Sequence, residues 1–98
     1  MNEVTPGEIG TSLGRCLKRR RIAQRLRLVD VSQRAGLSIP TLRAIERGDA
    51  SVAFGNYAYV AVMLGAGDLF DPIREESAAI QADIRNARVR APKPGVYP

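Results

Sequence analysis

An all-α fold of four to five helices, with flexible arms at both ends, is predicted for this 98-residue chain. Apolar residues recur at intervals of three and four over successive short segments, the repeat of helices that each bury one face. Gly36, Gly48 and Gly65 stand just past such segments, where a left-handed residue ends a helix. Ser38 with Pro40, and Asp71 with Pro72, stand at the heads of others, where a side-chain cap and a first-turn proline belong.

Taken in order, Thr5, Pro6 and Gly7 mark a loose arm over residues 1–8. Ile9, Leu13, Cys16 and Leu17 form a stripe that predicts a first helix from Ile9 to Gln24, with Cys16 as a buried small hydrophobe. Leu28, Val31, Ser32 and Ala35 predict a short second helix that Gly36 ends. Its head, at Arg27 and Leu28, offers no obvious cap. Ser38 opens a third helix whose inward face is Leu42 and Ile45 and which closes at Gly48. After the polar link Asp49–Ser51, a fourth helix is expected from Phe54 to Leu64, closed by Gly65 and Gly67. Tyr57, Val60, Ala61 and Leu64 can fill a core, which leaves Tyr59, Val62 and Met63 on a face suited to a second partner.

A fifth helix is expected from Asp71 to about Asn86, with Glu75 and Glu76 in its first turn, where the helix dipole favours negative charge. Ile73, Ile80, Ile84 and Ala87 make a narrow stripe along it. Either this is a short coiled-coil seam or it packs on the fourth helix of the same chain. The expected organisation is an arm (1–8), a helical domain (9–70), a C-terminal helix (71–87) and a basic, proline-rich tail (88–98) that lacks fixed structure unless bound.

A chain this short buries about two-thirds of its unfolded surface, so one modest core is the ceiling. Its first ten residues show neither a basic nor an apolar signal region, and no apolar run is long enough for a membrane span, so cytoplasmic residence is expected. One cysteine and no histidine leave no ligand set for zinc and no internal disulfide. No histidine base, paired inward carboxylates or phosphate-cradling glycine loop argues for catalysis, and no cofactor is implied. The net charge is +5, and thirteen of the fifteen basic residues are arginines. Seven positive charges and no negative one fall between Arg15 and Arg27. Such a cluster is either the footprint of a polyanion partner or a solvated helix face.

Two short helices joined by a tight glycine turn are the geometry that presents a helix to the DNA major groove. The stretch VDVSQRAGLSIPTLRAIERG, Val29 to Gly48, resembles the helix-turn-helix of the lambda-repressor and Cro-like (Xre) family, and the resemblance extends over roughly Leu13 to Leu69. Ala35 and Gly36 at the turn, Ser38 at the head of the recognition helix, the anchors Leu42 and Ile45, and the ending Ile45-Glu46-Arg47-Gly48 carry it. Arg21 continues the Leu13, Leu17 row, and Glu46 follows Leu42 by four, so both point inward and predict a structural ion pair. The resemblance implies the same pair.

It further implies double-stranded DNA as partner, base contacts from Ser38, Ile39, Pro40, Thr41, Arg43 and Ala44, and homodimerisation. Ile39, Pro40 and Ala44 depart from the polar residues common in relatives, so thymine methyl groups become expected targets. Arg19, Arg20, Arg25, Arg27, Arg47 and the region of Asn56 are the expected phosphate contacts. Tyr59, Val62 and Met63, or Ile73, Ile80 and Ile84, are the candidate dimer interface. The stretch SVAFGNYAYVAVMLGAGDLFDP is also similar to the corresponding region of HipB-like antitoxins. That likeness implies an alternative role, the binding of a partner protein such as a kinase-like toxin.

Overall fold

The computed structural model describes residues 3–89, and among them every regular element is helical. The order is α1 (Pro6–Ala23), α2 (Leu28–Ala35), α3 (Ile39–Arg47), α4 (Phe54–Met63), a 3-10 turn (Gly67–Phe70) and α5 (Asp71–Val89). The chain divides into two compact units, Met1–Gly67 and Asp68–Pro98. No described helix is long and apolar enough to cross a membrane.

Helix α1 starts at Pro6, three residues before the expected Ile9, because Thr5 is a cap and not part of a loose arm. Its hydroxyl accepts the Glu8 N–H at 3.1 Å, and Pro6 occupies a first-turn position where no amide hydrogen is missed. Two members of the expected stripe are corrected as well: Ile9 is 60% exposed and Cys16 is exposed. The inward line of α1 is Gly10, Gly14, Leu17 and Arg21, and it faces α3. Glycines carry no hydrophobic signal, so the apolar pattern places the buried face to one side of its true position. In the turn to α2, Arg25 is left-handed at φ 58° and donates to the Ile22 carbonyl at 2.9 Å, while the Leu26 N–H reaches the Arg21 carbonyl at 3.2 Å.

The head of α2 is not bare, contrary to expectation. Asp30, three residues in, accepts the Arg27 backbone N–H at 2.8 Å, which is the returning half of a capping box. An arginine side chain has no acceptor to complete the other half. Hydrogen bonds from the Arg27 side chain, then from its backbone, hold the Asp30 carboxyl below the usual carboxylate value of 3.8. A lowered folded value means that the unfolded chain binds the proton first as pH falls. This support for α2 is therefore complete above the ordinary carboxylate range and lost as pH drops through the lowered value. A carboxyl NMR titration should place Asp30 below 3.8; a midpoint at or above that value would contradict the cap.

The core of the Met1–Gly67 unit is Leu17, Val31, Leu42, Ile45, Tyr57, Val60, Ala61, Leu64 and Ala66. The four expected core residues of α4 are all in it. Two polar ties close the unit. The Tyr57 hydroxyl donates to the Asp49 carbonyl at 2.7 Å, and the Gln24 side chain donates to the Leu64 carbonyl at 2.6 Å. Burial, then the Asp49 charge, raises the Tyr57 hydroxyl above its ordinary value, so the phenol stays a donor throughout the physiological range. Gly67 opens the 3-10 turn and does not close α4.

In the second unit, α5 runs to Val89, past the expected Asn86. Only Asp71 is acidic in its first turn; Glu75 and Glu76 belong to the next one. The side chains from Pro72 to Ala87 are exposed. Residues 1–2 of the expected arm, and the expected tail from residue 90 onward, lie outside the described residues.

Candidate nucleic-acid interface

The site is built on the α2–α3 turn. Gly36 takes φ 68° and its N–H reaches the Ser32 carbonyl at 2.9 Å, a left-handed end that a side chain would strain. The Ser32 hydroxyl donates to the Leu37 carbonyl at 2.6 Å and so ties the turn to α2. Ser38 then caps α3 by accepting the Thr41 N–H at 3.2 Å. Leu42 and Ile45, both fully buried, anchor α3 from below, which leaves the opposite face outward.

That outward face holds the expected base-contacting residues. Ser38, Pro40 and Arg43 are exposed, and Ile39, Thr41 and Ala44 are half-buried. The Ser38 and Thr41 hydroxyls lie 2.9 Å apart and share one hydrogen. One hydroxyl hydrogen of the two thus remains for an outside acceptor. Arg43 is the long polar side chain on this face, and Ile39, Pro40 and Ala44 give the remainder an apolar character.

The expected Arg21–Glu46 pair is present and two-pronged. Arg21 Nε donates to Glu46 Oε2 at 2.6 Å and Nη2 to Oε1 at 3.2 Å, with side chains 12% and 15% exposed. A third bond, Nη1 to the Leu26 carbonyl at 2.7 Å, fastens the same guanidinium to the α1–α2 turn. Arg21 is consequently a strut that fixes α3 on α1.

Beside this strut runs an open groove of about 440 Å³, lined by Lys18, Arg21, Leu28, Arg43, Glu46 and Arg47. With Arg21 and Glu46 balancing each other, Lys18, Arg43 and Arg47 give the groove its positive sign. Lys18 is absent from the expected contacts, although it lies within the basic run that signals them.

The other expected phosphate contacts differ in how free their charge is. Arg27 is 77% exposed, and its fork is engaged by Asp30 at 3.0 Å and 3.2 Å; hydrogen bonding and attraction by Asp30 raise its affinity for its proton. Arg47 reaches Asp49 at a longer 3.7 Å while remaining 65% exposed. The Asp49 carboxyl is itself held below its usual value, chiefly by the Ser51 side chain and then its backbone. Arg19 and Arg25 are exposed, and Arg20 is half-buried. The Asn56 amide donates to the Ala53 carbonyl at 3.0 Å. Asn56 is left with its side chain for any outside contact.

A family model described as a helix-turn-helix domain matches residues 12–71, which takes in α2, the Gly36 turn and α3. The chain belongs to the helix-turn-helix domain family. No curated protein and no solved structure gives a significant match. Helix-turn-helix domains bind DNA, and the second helix of the motif is here α3.

Proposed function

We propose that this protein is a transcriptional repressor that binds a palindromic operator in double-stranded DNA as a homodimer. The observation that carries the reading is the capped, outward-facing α3, locked to α1 by Arg21 and Glu46 and flanked by a positive groove. Ser38, Ile39, Pro40, Thr41, Arg43 and Ala44 meet base edges; Arg19, Arg20, Arg25, Arg27, Arg47 and the Asn56 side chain position the phosphates. Two α3 helices, about one helical turn of DNA apart, supply the affinity that one lacks.

Titration of the purified chain onto its own upstream DNA at several salt concentrations tests this, with light scattering for mass. With about five to seven of the ten such arginines in a dimer, five from each chain, neutralising a phosphate, log affinity should fall against log salt with a slope of about −5 to −6. Weak binding that ignores sequence would overturn the repressor reading. Apolar readout makes a further prediction. Replacing thymine by uracil at contacted positions should weaken binding measurably, because each lost methyl removes an apolar contact with Ile39, Pro40 or Ala44. Unchanged affinity would reject that mechanism.

A second reading is supported by α4, where Tyr59 is 50% and Val62 is 72% exposed. Such a face suits a protein partner, and an antitoxin of the HipB type, which binds a kinase-like toxin and represses its own operon, would use both surfaces. Substitution of Val62 by aspartate should abolish capture of the protein encoded beside it while leaving operator binding intact, if that face serves the partner alone.

A further inference from the structure

The apolar stripe on α5 carries information about direction as well as about partner. Building on the homodimer reading, we propose that α5 helices from two copies of this chain pair side by side as a parallel coiled coil, each residue of the seam against its own copy. Ile73, Ile80 and Ala87 recur every seven residues, and Ser77 and Ile84 follow the first two by four. These are the two alternating core rows of a heptad repeat. Ile73, Ile80 and Ile84 are 67, 49 and 45% exposed, and Ser77 between them is exposed too, so the seam from Ile73 to Ile84 presents its apolar side chains to a partner.

The rows that flank the seam set the orientation. Glu76 and Asp83 precede Ser77 and Ile84 on one side; Arg74 and Gln81 follow Ile73 and Ile80 on the other. In a parallel pair each flank faces the opposite flank of the second copy, so Glu76 meets a glutamine amide that donates to it. In an antiparallel pair each flank faces itself, and Glu76 and Asp83 oppose each other twice, like charge against like. Arg74 pairs with Asp71 of its own helix at 3.2 Å and stands on the other flank, which in an antiparallel pair faces itself and not the acidic row. Ser77 points to the same arrangement. A small polar residue in a core row is tolerated best opposite its own copy, where two hydroxyls bond each other, and that happens only in parallel register.

The consequence for DNA binding is geometric. In a parallel pair both chains leave the seam at the Asp71 end, about 8–10 Å apart, the usual spacing of packed helices. An antiparallel pair would separate those exits by nearly the length of the helix.

The test uses the full chain with its lone cysteine removed, Cys16→Ser, and one cysteine added at Ser77 in one variant (Ser77→Cys) and at Glu75, on the outer row, in another (Glu75→Cys). Light scattering should report a dimer for the Cys16→Ser parent and a shift to monomer on adding Ile80→Lys. Under mild oxidation Ser77→Cys should cross-link to completion and Glu75→Cys should lag far behind. A dimeric parent whose Ser77→Cys form cross-links no faster than Glu75→Cys overturns the parallel seam and leaves the homodimer reading standing. A monomeric parent overturns both.

Discussion

Glu46→Ala is expected to cost about 3 kcal/mol of stability, the lower end of the range for breaking a buried ion pair, because its side chains keep 12% and 15% of their exposure. The loss is large for a unit this small, whose whole stability is on the order of 5 kcal/mol. It arises less from a lost attraction than from the guanidinium left behind, which would keep its bond to the Leu26 carbonyl but lack an anion in a half-dry site. Arg21→Ala should cost at least as much, since it strands the Glu46 carboxylate and releases the α1–α2 turn as well. Replacing both partners with apolar residues of similar volume, Arg21→Met with Glu46→Leu, should be less harmful than either single change. Urea unfolding followed by circular dichroism reads all four proteins. Single changes that each cost under about 1 kcal/mol would show that the pair behaves as an exposed surface bridge and that α3 is held by packing alone.

That pair was legible in the sequence because its logic is positional. A charged residue that extends an apolar row by four must point inward, and an inward charge needs a counterpart on the facing helix. The α2–α3 turn was legible for a similar reason, since Gly36, Ser38 and Gly48 each occupy a place where backbone geometry restricts the choice of residue. Ser38 and Thr41 were legible as surface positions, but their mutual hydrogen bond, which commits one hydroxyl hydrogen, depends on side-chain rotation that no spacing encodes. The Asp30 cap is encoded too, but not at the cap position itself: the Arg27 side chain offers no acceptor, and the carboxylate three residues later supplies the bond. Lys18 joins Arg43 and Arg47 only through the way α1 crosses α3, and nothing in either segment alone states that crossing. The glycines of α1 hide its buried face from an apolar pattern. Ile9 and Cys16 look like core by hydrophobicity, yet the residues that touch α3 are the ones with least to bury.

Those glycines give the second large effect. A Cβ added at Gly14 would stand 2.6 Å from the carbonyl oxygens of Ile45 and Glu46 and 2.8 Å from the Gly48 nitrogen. All three are backbone atoms, and the Gly48 N–H is already bonded to the Ile45 carbonyl at 2.9 Å, so none can swing aside as a side-chain tip would. Two effects oppose each other in Gly14→Ala. Alanine gains about 1 kcal/mol over glycine within a helix, whereas overpacking costs about 1–3 kcal/mol and more where backbone is the obstacle. The clash should win, for a net loss of about 2 kcal/mol and a displaced α3, so DNA affinity falls even in the fraction that stays folded. Gly7→Ala on the same helix is the control, because its added carbon meets only the Thr5 hydroxyl oxygen at 3.9 Å. There the propensity gain stands unopposed and the protein should become more stable by about 0.5–1 kcal/mol. Opposite signs from one substitution type on one helix would locate the close contact between α1 and α3 at Gly14. Stabilisation at both positions would mean that the helices stand far enough apart for a methyl group, and that Arg21 and Glu46 alone set the height of α3 above α1.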